Sequence, residues 1–276
     1  MTMTRSLAYC AAFLLFSICI GAFPAAGADE KSLQNMHGSV SSQTPPSAAQ
    51  PLAPNATTVL NDRDYAITGS DSLAAIGLPD SSRVLVGSQS KVQLVSFDTV
   101  ANTSAKFVVV GKVRFIVQHP AGAKADYTFQ TTTGSIAVRG TEGDIEQNGN
   151  DLRVNVYEVC DPNAPVTVTT SNGRQFKLLA GQSLLAQFVN GVLQAKVQQI
   201  TQQLIDQFSP DFGVPTSWDA AKGEIVSAAQ SQASNAIGNA AGGYGGEIAG
   251  AVGGLFGHKK ATPTPSPTPS STTCSH

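Results

Sequence analysis

The sequence predicts an all-β domain followed by one or two helices, and three observations carry that prediction. Short runs in which apolar and polar residues alternate recur about every ten residues from Val59 to Gln187. Turn residues separate them: Pro79-Asp80, Gly87-Ser88, Gly111-Lys112, Asn148-Gly149, Asp161-Pro162-Asn163 and Asn172-Gly173. After Gln187 the apolar period lengthens, with Leu193, Val197, Ile200, Leu204 and Phe208 spaced four, three, four and four apart. Even spacing with turn signals fits a sandwich, a roll or a small β-solenoid, and periodicity does not choose among them.

In chain order, residues 1–28 predict a signal peptide. Arg5 lies in a short leading region, an apolar core runs from about Ala11 to Phe23, and Ala26-Gly27-Ala28 offers small residues for cleavage. The apolar run falls short of the roughly 20 residues that span a bilayer, so cleavage after Ala28 is expected and a periplasmic or extracellular location follows. Residues 29–57, dominated by Ser, Gln, Pro, Ala and Asn, have the composition of a disordered linker. Residues 58–187 hold the strands, among them Val84 and Val86, Val92 and Leu94, Val113, Phe115 and Val117, Tyr127 and Phe129, and Val154 and Val156.

The centre of this domain is Thr131 to Asp151, T-T-T-G-S-I-A-V-R-G-T-E-G-D-I-E-Q-N-G-N-D. Ile136 and Val138 alternate with Ser135 and Ala137 as in a half-buried strand, and Gly140 interrupts them where a bulge or a close backbone approach is expected. In the next strand Glu142, Asp144 and Glu146 share one face and Ile145 takes the other, and Asn148-Gly149 suits a tight hairpin turn.

The run I-A-V-R-G-T, preceded by Y-T-F-Q-T-T-T-G, resembles the most recognisable block of the FecR-type domain. Ala66-Ile67-Thr68-Gly69, Leu78-Pro79-Asp80-Ser81-Ser82, and Val84-Leu85-Val86-Gly87 with Ser90-Lys91-Val92 resemble that family's earlier motifs in the same order. The likeness covers about residues 58 to 187. It departs from the family at Ser81, where a glycine is usual, and at Thr132, where a proline is usual. The resemblance implies a compact β-helix-like sandwich. It also implies kinship with regulators that relay the occupancy of an outer-membrane transporter to a cytoplasmic sigma factor. Those regulators place a cytoplasmic anti-sigma segment before a membrane span, whereas here about ten residues precede the apolar run, so the domain is expected without that segment.

Residues 188–236 form the expected helical segment. One helix runs from about Val192 to Phe208 and is stopped by Pro210 and Pro215; a second starts near Trp218-Asp219 with Ser217 as its cap and ends near Ala236. In residues 237–257, Gly238, Gly242, Gly246, Gly250 and Gly254 recur every fourth position, as in a glycine zipper that lets another helix approach. So many glycines also suit a flexible linker, each costing a helix about 1 kcal/mol relative to Ala, and both readings stand. Residues 258–276, with T-P-T-P-S-P-T-P, are expected to be a disordered tail.

Loss of Cys10 and Cys19 with the leader leaves Cys160 and Cys274, expected as two unpaired thiols, with a disulfide the alternative. No C-x-x-C supports zinc or thiol redox chemistry. The imidazoles that remain, His37, His119, His258 and His276, accompany no nucleophile, metalloprotease or phosphate-loop signature. No enzyme, cofactor or metal is therefore expected. A net charge of −2, with no basic cluster beyond Lys259-Lys260, excludes a generally basic nucleic-acid binder.

Glu142, Asp144 and Glu146, with Asn148, Asn150 and Asp151, offer hard oxygen ligands of the kind calcium takes. A solvated strand face explains them more simply, and on that reading Asp144→Ala is nearly silent. Arg139, opposite in facing to Val138, is expected in a surface ion pair or in solvent. The expected function is an exported, non-enzymatic binding or scaffolding module at the bacterial cell envelope. Its partner would be an envelope protein or glycan, with peripheral membrane or helix–helix association through residues 237–257. An extracytoplasmic signalling regulator is the alternative.

Overall fold

The computed structural model describes residues 30–100, 102–118, 125–161, 163–215 and 217. Seventeen strands form one continuous, unclosed sheet, folded into two layers. Layer A runs in the order β4 (Thr57–Val59), β1 (Ser32–His37), β6 (Leu73–Gly77), β7 (Arg83–Val86), the second half of β9 (Thr103–Val117), β12 (Thr141–Asn148), β13 (Asp151–Val159), β16 (Gln182–Val189) and β17 (Val192–Gln199). Layer B runs β3 (Gln50–Leu52), β2 (Val40–Gln43), β5 (Tyr65–Thr68), β8 (Lys91–Asp98), the first half of β9, β10 (Ala125–Gln130), β11 (Gly134–Val138), β14 (Val166–Thr170) and β15 (Gln175–Leu178). Every pairing is antiparallel except that of β9 with β10.

β9 crosses from one layer to the other. Up to Val110 it pairs with β8 in layer B, and from Gly111 it pairs with β12 in layer A. The passage lies at Gly111, whose φ is +97° and where a Cβ would stand 2.4 Å from the Ser90 hydroxyl, so a side chain is excluded on two counts.

Alternation sends one set of side chains between the layers. Phe115, Ile145, Val154 and Leu184 of layer A meet Phe107, Tyr127, Phe129, Ile136 and Val168 of layer B, all without solvent exposure. The Phe115 and Phe129 rings, 5.2 Å apart, join the layers, and Phe107 stacks on Phe129 at 5.1 Å. Each such side chain contributes about 1.5–3 kcal/mol by leaving water. The all-β, sandwich-like fold is thus as expected, with Val138 in the core at 1% exposure. Gly140 takes φ 58°, and Gly149, at φ 56°, turns the β12–β13 hairpin.

Two expectations are corrected. Residues 29–57 are not a disordered linker over their described part: they carry β1 to β3 and the first residue of β4, with Leu33 and Val40 buried in the core. Two anchors and backbone pairing suffice to order a polar stretch, because β1 lies between β4 and β6.

The helix expected from Val192 is instead β17, so the sheet continues past Gln187. Asn190 and Gly191, at φ 51° and 77°, form the two-residue turn that pairs β17 with β16 along its whole length. Leu193, Ala195 and Val197 are a period-2 set that the four-and-three spacing concealed. The helix, α1, spans Gln202–Phe212; the Thr201 side chain caps it by accepting the Leu204 N–H, and Pro210 lies inside it instead of ending it. The helix stops at Gly213, whose N–H donates to the Ser209 carbonyl. Residues 218–236, the glycine stripe of 237–257, the tail and the leader lie outside the described residues.

Candidate functional site

The outer face of layer A is built from the same alternation that builds the core. With Val113, Phe115 and Ile145 inward, Lys112 and Arg114 on β9 and Glu142 and Asp144 on β12 must point outward. Register places Arg114 beside Asp144, Asp144 beside Asn155 on β13, and Asn155 beside Ser183 on β16, one polar row across four strands. Solvent does not reach it. Arg114 is 3% exposed, Glu142 1%, and Asp144, Asn155 and Ser183 0%.

What covers the row is α1 and the segment after it. Ile200, Leu204 and Ile205 pack with Tyr157 in a small apolar cluster of their own. At the other end the Phe212 ring lies against Gly87, where a Cβ would come within 2.8 Å of it, and 5.2 Å from the Arg114 guanidinium. Phe212 therefore needs a glycine beneath it, and the turn after β7 supplies one.

Arg114 is the hub. Its Nε and Nη2 donate to the two carboxylate oxygens of Asp144 at 2.7 and 3.0 Å, a bidentate pair. Its Nη1 donates to the main-chain carbonyls of Phe212 and Gly213 at 3.3 and 3.0 Å, the negative end of α1. The Tyr157 hydroxyl also donates to Asp144.

Two flanking clamps hold the same segment. Lys112 Nζ donates to Asp211 at 2.8 Å, and the Ser88 N–H donates to the other oxygen of that carboxylate at 2.9 Å. Glu142 accepts both the N–H of Ser217, at 3.0 Å, and its hydroxyl. Asp211, Phe212, Gly213 and Ser217 thus mark a strap fastened to the sheet by side chain and main chain together.

The electrostatics follow. Burial pushes the Asp144 carboxyl above its ordinary value, with Arg114 and Tyr157 pulling the other way. Burial would lower Arg114, but the hydrogen bonds and charge of Asp144 outweigh it and hold the guanidinium above its usual value. The Tyr157 hydroxyl is pushed up by burial and by Asp144. Asp211 would also be raised by burial, yet the hydrogen bonds from Lys112 and Ser88 bring it below the ordinary carboxylate range.

Among the residues singled out from the sequence, Glu142 and Asp144 are therefore not a solvated face. They lie under α1, their oxygens engaged by Ser217, Arg114 and Tyr157, while Glu146 stays partly exposed, 4.0 Å from Arg153. Among the described residues no group of three or more His, Cys, Asp or Glu could hold a metal. Arg139 pairs with Asp126 on the outer face of layer B, at 53% and 46% side-chain exposure. His37 is exposed and 3.6 Å from Asp71, and His119 lies outside the described residues. Cys160 is disulfide-bonded, which overturns the unpaired thiol, and every other cysteine lies outside the described residues.

Ser217 donates to Glu142, and the second helix it was expected to cap lies outside the described residues. Sequence reasoning did not single out Lys112, Arg114, Tyr157 or Asp211. The signal for the first two was present: Lys112 and Arg114 alternate with the inward residues Val113 and Phe115, so a charged face on β9 was implied.

Comparison with known proteins matches a family model to most of the sheet side of this seat, while α1 and the residues after it lie outside the match. The FecR protein family matches residues 64–158, from just before β5 to the end of β13, and so includes Lys112, Arg114, Glu142, Asp144 and Tyr157. No curated protein matches the chain. Two crystal structures of a proposed anti-sigma factor from Parabacteroides distasonis are similar in part. One has 17% identity and a TM-score of 0.40 over 49% of this chain and 60% of that one; the other has 16% and 0.42 over 52% and 63%. The chain thus spans less than two thirds of the length of either. By the family match, this protein carries a FecR domain over residues 64–158.

Proposed function

We propose that the protein is an exported, non-enzymatic binding module of the bacterial cell envelope, working through its FecR domain. The observation that carries this reading is the seat on layer A. Its charged side chains hold a piece of polypeptide, Arg114 by main-chain carbonyls and Glu142 by a main-chain N–H. That is the chemistry of recognising a peptide segment, with a helix laid on a sheet by its apolar face and fixed at its end by charge.

Export is supported by the leader-like residues 1–28 and by the disulfide at Cys160, because disulfides persist in oxidising compartments. The partner is an envelope protein or glycan, not a nucleic acid, and residues 237–257 add peripheral membrane or helix–helix association. Fractionation with intact-mass measurement tests the location: the account expects a chain beginning at Asp29 in the envelope or medium, and retention of Arg5 in that form contradicts it.

A second reading, an extracytoplasmic signalling regulator, is favoured by the family match over residues 64–158. Transcript profiling of a deletion strain separates the two. A change confined to the genes of one sigma factor favours the regulator, and unchanged transcription favours the binding module.

A further inference from the structure

Layer A ends at β4 and β17, and layer B ends at β3 and β15. Three of these four edges are blunt: β4 and β3 have 3 residues each and β15 has 4, and β3 contains Pro51, which has no N–H to donate. β17 differs. It has 8 residues, all paired with β16 on one side and with no strand among the described residues on the other.

The helix that follows does not cover this edge. From Thr201, α1 runs back across layer A, where Gln207 meets Arg153 of β13 and Phe212 reaches Arg114 of β9. The adjoining hairpin tip also projects past β13, whose pairing with β16 ends at Ala186. That tip exposes Phe188 at 43%, Val189 at 41% and Val192 at 63%. Sheet edges that remain solitary are shortened, charged or covered, and a long open one with an apolar end is a template for another strand.

We propose that β17 pairs antiparallel with β17 of a second copy of this chain, about a two-fold axis at Ala195. The side chains select the register. Leu193, Ala195 and Val197 face the core, whereas Gln194 and Lys196 face outward. Joining two layers so that inner faces stay continuous requires residues of the same facing to stand opposite each other. Of the registers that meet this condition, the two longest centre on Ala195 and on Lys196. The second sets two ammonium groups face to face. The first sets Ala195 against Ala195, Leu193 against Val197, and Gln194 against Lys196, so the core continues through the interface and each lysine meets a neutral amide. The interface is isologous and closed, as a two-fold dimer demands.

The test is light scattering of the full mature chain across a dilution series, on the wild type and three variants. The wild type should dimerise and dissociate on dilution. Gln194→Lys puts like charges opposite Lys196 at both symmetric positions and should weaken the dimer roughly ten-fold. Gln194→Glu should tighten it by a similar factor, and both changes fall on an exposed side chain. Ala195→Cys should give a cross-linked dimer on mild oxidation. A monomer at every concentration overturns the proposal, including the case in which another segment of the same chain covers the edge. So does a dimer whose affinity ignores the charge at position 194 and which Ala195→Cys fails to cross-link. Neither outcome bears on export or on the seat of layer A.

Discussion

The outer faces of the two layers are made by the same alternation and carry the same chemistry, an arginine beside an aspartate. On layer A, Arg114 and Asp144 are 3% and 0% exposed beneath α1; on layer B, Arg139 and Asp126 are 53% and 46% exposed. The difference lies entirely in what comes down on top. Period-2 patterning decides which way a side chain points, whereas its burial is decided by a helix some sixty residues further along the chain, so equal motifs acquire unequal energetic weight. A surface pair is screened and contributes little, while removing one partner of a buried pair strands a charge in a poor solvent.

The largest effect should come from breaking the buried pair. Asp144→Ala leaves the Arg114 guanidinium without its carboxylate and should cost about 3–5 kcal/mol in denaturant unfolding. This reverses the expectation of a silent change drawn from the strand pattern alone. Next comes the strap: Ser217→Ala removes the hydroxyl donor to Glu142 and should cost about 1.5–3 kcal/mol, measured in the same way.

A smaller, pH-dependent effect belongs to Asp211. Its carboxyl is depressed in the folded chain, so the unfolded chain binds the proton more readily and stability rises with pH through the carboxylate range. The strap contribution should be complete above about pH 4 and be lost as pH falls below it toward the depressed folded value. Melting temperature against pH should show a shallower acid limb for Asp211→Asn than for the wild type. The smallest change should be Asp126→Ala on layer B, less than about 1 kcal/mol, and a large loss there would erase the contrast between the faces.

Much of the sandwich was legible because its strands alternate and most are separated by turn residues, although Gly111-Lys112, expected as such a turn, lies within β9. Ile136, Val138 and Ile145 lie where alternation puts them, and all are buried. Even the departure at Ser81 is instructive: the chain takes the left-handed conformation there, φ 68°, with a serine where the family usually has glycine. Asp80 fixes that turn by accepting from Ser82 and from the Tyr127 hydroxyl.

The strands β1 to β4 were missed because Leu33 and Val40 stand as isolated anchors in a polar stretch, and their order comes from neighbours distant in sequence. β17 was missed because Leu193 and Val197 satisfy both a helical spacing and a strand alternation, and only the Asn190-Gly191 turn distinguishes them. The seat was half legible. Its outward facing follows from the pattern, but its cover, α1 with Gly213 and Ser217, joins it only through tertiary packing that no local window contains.

Amide hydrogen exchange of the wild type and Asp144→Asn, followed by mass spectrometry, tests the central claim most directly. In the wild type, amides of α1 should be protected to nearly the same degree as those of β12 and β13. In Asp144→Asn, protection of α1 and of residues 211 to 217 should fall steeply while β10 and β11 stay unchanged. Rapid exchange of α1 in the wild type, or a loss spread equally over both layers in the variant, would contradict a strap seated on layer A through Arg114 and Asp144.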